Sequence, residues 1–208
     1  MTNLAHGDVD MQFGFTTECP DQLPVQETLE VLDVTTQVRE KFRAAWELVL
    51  RSGDLHQKDV LYTPWPRHCE VNTKWSEFID PTIGENDVIL YKGFQYDHPF
   101  SLFAGHTLRE KKNGWIQKGG KLWVPDKSGY TILNENDIDT FVGTWVAWEF
   151  CVDTTLSDVA QMNLKTYAVT DGIAFFDPTK KKEFYEKWQD LGITLITSDK
   201  VDALLAQK

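Results

Sequence analysis

Glu149 is the residue whose surroundings most invite acid–base chemistry. It lies in the run Trp145-Val-Ala-Trp-Glu-Phe-Cys151. Read as a strand, that run puts Glu149 on one face with Trp145, Ala147 and Cys151, between Trp148 and Phe150. A carboxylate placed so is paired with a cation, sits at an exposed strand end, or has a raised pKa suited to proton transfer. The paired or strand-end reading is the plainer one. A catalytic role needs a second polar group, and Asp153 and His106 are the candidates.

Metal chemistry needs several ligands converging. His6-Gly-Asp8-Val-Asp10 offers an imidazole and two carboxylates on alternate positions, which one strand face would gather. A solvated acidic segment explains the same residues without a metal. His56, His68, Cys69, His98 and His106 could build a zinc set if the fold brought three together, although surface or capping roles are the default for histidine. Asn134–Asp139 alternates oxygen donors, but Asp139 stands where a calcium loop turns on glycine, and Trp145 stands where its closing glutamate belongs. No cofactor is expected. The three cysteines (Cys19, Cys69 and Cys151) form no CxxC pair and read as reduced thiols. GxSxG, phosphate-loop and dinucleotide fingerprints are missing.

Charge points toward partners. The first 38 residues contain no lysine or arginine, yet carry seven acids out of a formal net charge of −11. Asp8, Asp10, Glu18 and Asp21 are therefore candidate contacts for a basic surface. The eight tryptophans include Trp115 and Trp123, which lie on adjacent predicted strands and could form an aromatic binding platform. Direct binding of nucleic acid is not expected of so acidic a chain. No apolar run approaches the ~18 residues that span a bilayer, and the start lacks the features of a signal peptide, so the expected location is cytoplasmic, with no membrane contact.

These residues must be held by elements. Val38, Phe42, Ala45, Trp46 and Val49 predict a helix over 35–52 closed by Gly53. Asn113-Gly114 and Gly119-Gly120 predict a meander from residue 107 to 124. Short strands are expected at 88–94 and 130–133, a long one at 141–152, and a hairpin at Asp171-Gly172. Pro178 and Gly192 bracket a second helix, followed by a strand at 193–197 and a short final helix.

The expected architecture is α+β: a mostly antiparallel sheet, a meander with tight hairpins, packed with about three helices. Residues 1–34 read as an acidic, partly irregular N-terminal arm and residues 35–208 as a single α+β domain. The expected function is non-catalytic: a subunit of a larger assembly or a homo-oligomer, contacting protein partners through the arm and the aromatic-rich sheet. Two alternatives stand beside it. One is an acidic inhibitor occupying a basic nucleic-acid-binding surface. The other is a hydrolase or transferase using Glu149 and a histidine, possibly with a metal.

Overall fold

The computed structural model describes residues 2–58, 65–94, 100–146 and 148–207. One nine-stranded sheet runs through it in the order β5-β6-β4-β3-β2-β1-β7-β8-β9. Its strands are β1 (Leu4–Val9), β2 (Leu48–Asp54), β3 (Asp87–Lys92), β4 (His106–Glu110), β5 (Ile116–Lys118), β6 (Lys121–Ser128), β7 (Thr140–Trp145), β8 (Lys165–Ile173) and β9 (Thr194–Ile196). The six strands from β3 through β1 to β9 are parallel, and only β4, β6 and β5 at one edge are antiparallel. The expectation of a mostly antiparallel sheet is thus overturned: the fold is a mostly parallel α/β sheet covered by helices.

Among the described residues, five α-helices cover it: α1 (Thr28–Ala44), α2 (Gly129–Glu135), α3 (Asp153–Gln161), α4 (Lys181–Asp190) and α5 (Val201–Leu205). A parallel sheet must be apolar on both faces, because its crossover helices lie on both. On one face Leu4, Val49, Val142 and Val169 meet Val38 and Phe42 of α1 and Leu204 of α5. On the other, Ala5, Val9, Leu50, Phe141 and Ala168 meet Leu156 and Val159 of α3 and Trp188 of α4. Gly7 permits this second packing, since a Cβ there would lie 2.2 Å from the Phe141 ring.

Strand β1 corrects the reading of residues 1–34 as a contact arm. All six of its residues are buried, and it lies at the middle of the sheet between β2 and β7. Its acid is hidden by distant arginines. The Asp8 carboxylate takes Arg39 at 2.6 Å and Arg51 Nε at 3.2 Å, with all three side chains fully buried. Arg39 also pairs with Asp80, and Arg51 donates to the carbonyls of Asp80 and Thr82. Charge counting along the chain cannot see a compensation that arrives from 31 and 43 residues away. Glu18 and Asp21 are exposed.

Other expectations shift for local reasons. The helix expected over 35–52 is two elements: α1 ends at Ala44, and Leu48–Asp54 is a parallel strand. Trp46 lies in the turn between them with a left-handed backbone (φ 59°) and is 69% exposed, so it is not core. Residues 129–135 are helical rather than a strand. Strand β7 stops at Trp145, and Trp148–Val152 is one π-helical turn leading into α3. Strand β8 runs straight through Asp171-Gly172. In place of a sequential meander, the long β6 pairs with both β4 and β5. Among the described residues no helix is long and apolar enough to cross a membrane.

Candidate active site

The strand order reverses around β1, with β2 and β3 on one side and β7, β8 and β9 on the other. In an open parallel sheet, the crevice beyond the C-terminal strand ends at such a point is where ligands bind. Four polar side chains converge there. Asp10 directly follows β1, Asp54 ends β2, Lys92 ends β3, and Cys151 sits in the turn after β7.

Lys92 Nζ is the hub. It lies 2.8 Å from Asp10 Oδ2 and 2.6 Å from Asp54 Oδ1, and it donates to Cys151 Sγ at 3.4 Å. Ser52 Oγ donates to Asp10 Oδ1 at 2.7 Å and fixes the carboxylate from its other side. None of Asp10, Asp54, Lys92 and Cys151 is more than 5% exposed. Burial lifts the Asp10 carboxyl above the ordinary aspartate value; Lys92 pulls against that lift and Asp54 adds to it. Burial also pushes the Cys151 thiol well up, Lys92 opposes, and the two carboxylates raise it further. For Lys92, burial works against the charge, but Asp10 and Asp54 outweigh it and hold the ammonium well above the ordinary lysine value. At neutral pH the cluster therefore contains a protonated thiol close to the Asp10 carboxylate, beside a persistent cation.

Backbone strain gathers at the same place. Asp10 has φ 58° and Trp145 has φ 92°, both left-handed, at the ends of neighbouring strands. Asp tolerates that region and a buried tryptophan does not. The bends turn the chain out of the sheet, so that Asp10 and Cys151 point into the crevice instead of continuing the ladder. Thr155 secures the turn: its Oγ1 donates to Cys151 O at 2.5 Å and accepts from Leu102 N at 2.9 Å.

A second constellation adjoins the first through Asp54. Asp54-Leu-His56 puts two donors on one face of the chain, and His68 meets them from the following loop. The His56 and His68 Nε2 atoms lie 3.1 Å apart, and each is 3.6 Å from Asp54 Oδ2. His56 Nδ1 bonds Gly93 O at 2.9 Å, and His68 Nδ1 bonds Pro66 O at 2.8 Å. A carbonyl only accepts, so both Nδ1 atoms carry a proton, and both rings turn Nε2 toward one carboxylate oxygen. This donor set, with its ring orientations locked by carbonyls, fits a divalent cation such as zinc.

The residues singled out from sequence are distributed as follows. Asp10 is in the cluster, while Asp8 serves the buried arginines. His6 is buried in β1 with Nε2 2.9 Å from Thr144 Oγ1, and contributes to neither constellation. Glu149, two residues before Cys151, accepts from the backbone of Phe176 at 3.0 Å and Asp177 at 2.7 Å, tying the turn that carries Cys151 to the chain after β8. Asp153 holds Lys187 at 2.6 Å and Trp188 Nε1 at 2.9 Å, fastening α3 to α4. His106 pairs Tyr91 at the antiparallel edge, away from His56 and His68. His98 lies outside the described residues. Trp115 is exposed against Phe94, and Trp123 is half-buried with Nε1 on Lys118 O. All three cysteines are buried and free. Asp54, Lys92 and the pairing of His56 with His68 escaped the sequence reading. The available signal was a charged residue closing an apolar strand, repeated at Asp10, Asp54 and Lys92.

No protein-family model matches the sequence, and no curated protein matches it. Solved structures do. The chain resembles the pyrazinamidase of Pyrococcus horikoshii in complex with zinc, at TM-score 0.77 and 24% identity, over 94% of this chain and 99% of that one. It resembles the N-carbamoylsarcosine amidase of Thermoplasma acidophilum at TM-score 0.70 and 26% identity, over 95% and 98%. It also resembles an isochorismatase-like hydrolase of Alkaliphilus metalliredigens at TM-score 0.75 and 19% identity, over the whole of both chains. The fold is therefore the isochorismatase-like α/β fold. The expectation of a non-catalytic structural subunit, working through an acidic arm and a tryptophan-rich sheet, is overturned by this likeness to enzymes.

Proposed function

We propose that the chain is a cysteine-dependent hydrolase that cleaves the carboxamide C–N bond of a small, neutral, flat substrate. The observation that carries this is the contact of Lys92 Nζ with both Asp10 and Cys151 Sγ in a water-poor crevice. Amide hydrolysis needs a nucleophile, a base that becomes the acid, and a fixed positive field, and these residues supply all three.

The thiol is the resting form, so attack and deprotonation occur together. Cys151 Sγ adds to the carbonyl carbon while its proton passes to Asp10, whose raised pKa makes it the stronger base. Asp10 then gives that proton to the departing nitrogen; the C–N bond breaks, ammonia leaves and a thioester remains on Sγ. In the second half Asp10 takes a proton from water, the water oxygen adds to the thioester carbon, and the C–S bond breaks. The acid product is released, and the proton returns to Cys151. Lys92 keeps its charge throughout, holding Asp10 in place and countering negative charge as it shifts between carboxylate, sulfur and carbonyl oxygen. The N–H groups at the start of the turn from Trp148 into α3 are the donors for the oxyanion in this reading, because the first N–H groups of a helix have no partner within it. A divalent cation held by Asp54, His56 and His68 would supply a Lewis-acid contact for a lone-pair donor on the substrate.

The substrate class follows from the walls. Phe15, Trp65, Phe100 and Phe150 enclose the space above Cys151. Trp65 and Phe100 approach the Phe150 ring at centroid distances of 4.6 and 5.7 Å. Such aromatic walls favour a flat ring. Pyridine- and pyrazine-carboxamides are accordingly the first substrates to try, alongside N-carbamoyl amino acids as the charged contrast. Zinc- or manganese-loaded protein should release ammonia from the ring carboxamides, and Cys151→Ala should lose that activity by at least ~10³-fold with its thermal midpoint kept. Ammonia release by Cys151→Ala at the native rate, or no turnover of any carboxamide by loaded protein, would sink the proposal.

A further inference from the structure

Two residues beyond Asp10, the side chain of Gln12 does work that backbone does elsewhere in the sheet. Strand β1 pairs with β2 up to Val9 opposite Ser52, and Asp10 N still donates to Ser52 O at 3.0 Å. There the left-handed bend at Asp10 takes the β1 backbone away, while β2 continues to Asp54. The Gln12 amide fills the place left open: its Oε1 accepts from Asp54 N at 2.7 Å, and its Nε2 donates to Asp54 O at 2.8 Å. The same Nε2 donates to Ser76 O at 2.9 Å, fastening the strand end to the 74–76 turn. Gln12 is fully buried.

Gly53 supplies a second, independent observation. A Cβ at Gly53 would meet the Gln12 amide carbon and nitrogen at 3.2 Å and the Phe78 ring at 3.1 Å. The missing side chain lets the amide lie flat along the strand. Nothing in the bond-making described above uses Gln12, yet its amide grips both backbone groups of the residue whose carboxylate divides between Lys92 and the two histidines.

We propose that Gln12 is a positioning residue for the cation site: by pairing with the Asp54 backbone, it sets the aim of Asp54 Oδ2 toward the His56 and His68 Nε2 atoms. The inference rests on the reading of Asp54, His56 and His68 as a metal set. It concerns how tightly that set binds, apart from any turnover. Gln12→Met keeps the volume and removes both bonds. Gln12→Glu keeps an acceptor for Asp54 N but cannot donate to Asp54 O. Gly53→Ala leaves the amide in place and pushes it off the strand.

The test is zinc affinity of the full-length chain by competition with a chromogenic chelator, together with the visible absorption of the cobalt(II)-substituted protein. Gln12→Met and Gly53→Ala should each weaken zinc binding by roughly 10–100-fold and alter the cobalt spectrum, with Gln12→Glu alike. Thr35→Ala, on α1, removes a buried hydrogen bond to Gly172 O of β8 without touching Asp54, His56 or His68, and controls for lost stability. It should leave zinc affinity unchanged. Native affinity and an unaltered cobalt spectrum in Gln12→Met, or in Gly53→Ala should Gln12→Met not fold, would overturn the role of Gln12 while leaving the metal set standing. A native chain that takes up no zinc at all would overturn the metal set, and this inference with it.

Discussion

The Nε2 atoms of His56 and His68 face one another at 3.1 Å while both Nδ1 atoms are bound to carbonyl oxygens. Two lone pairs at that separation repel unless a proton or a cation lies between them. The Asp54 carboxylate, 3.6 Å from each, favours either one. The pair is thus a device for holding positive charge beside Cys151.

A metal ion should therefore stabilise the fold by mass action. Zinc at 100 times its dissociation constant should add about 2.7 kcal/mol, read as a rise in thermal midpoint that grows with zinc concentration. His68→Ala should abolish the dependence on zinc. A zinc response retained in His68→Ala and in His56→Ala would show that the ion binds elsewhere.

Lys92 is the shared cation of two buried carboxylates, so its removal should be costly to the fold. Lys92→Met leaves Asp10 and Asp54 together in a site closed to water, and a loss of about 3–5 kcal/mol in urea unfolding is expected. Adding Asp10→Asn to Lys92→Met should restore part of that loss, because one uncompensated charge is removed. Additive losses in the double variant would mean that the ion pair contributes no coupling.

His6 should make stability fall on the acid side. Burial above all lowers its pKa from 6.5 to about 4, so the folded chain keeps the ring neutral where the unfolded chain protonates it. The unfolded state then binds the extra proton between those two values. Stability is accordingly full above pH 6.5, drops as the pH falls toward 4, and changes no further below. At about 1.4 kcal/mol per pH unit the whole window is worth about 3 kcal/mol. Replacing His6 with phenylalanine should remove about 2.4 kcal/mol of the stability difference between pH 7 and pH 4.5 in denaturant titrations. An identical slope in native and variant protein would assign the acid sensitivity to other groups.

The sequence reading and the structure part company at particular elements. Pro178 at the start of a helical segment, Gly192 after it and the Gly119-Gly120 turn are local devices, and their consequences were legible: α4 spans Lys181–Asp190, Gly192 has φ 80°, and Lys118 faces Lys121 across the turn. Leu48–Asp54 was not legible. Its apolar start continues the helical spacing of α1, and what makes it a strand is the pairing with β1 and β3 on either side. The same holds for Trp145–Val152, where a long apolar run conceals the bend at Trp145 that turns the chain into a helix carrying Cys151.

The amino-acid order by itself determined the acidic balance, the free cysteines, the tight turns and helix ends, and the identity of every group in the candidate site. Those properties depend on residue type or on partners a few positions away. Only the tertiary structure decided that Asp10, Asp54, Lys92 and Cys151 meet, since they lie on four different segments and parallel pairing alone aligns their ends. It also decided that the acids of the first strand are buried against Arg39, Arg51 and Lys92. Charge and hydrogen-bond compensation act through space, and a parallel sheet places each partner a full crossover away along the chain.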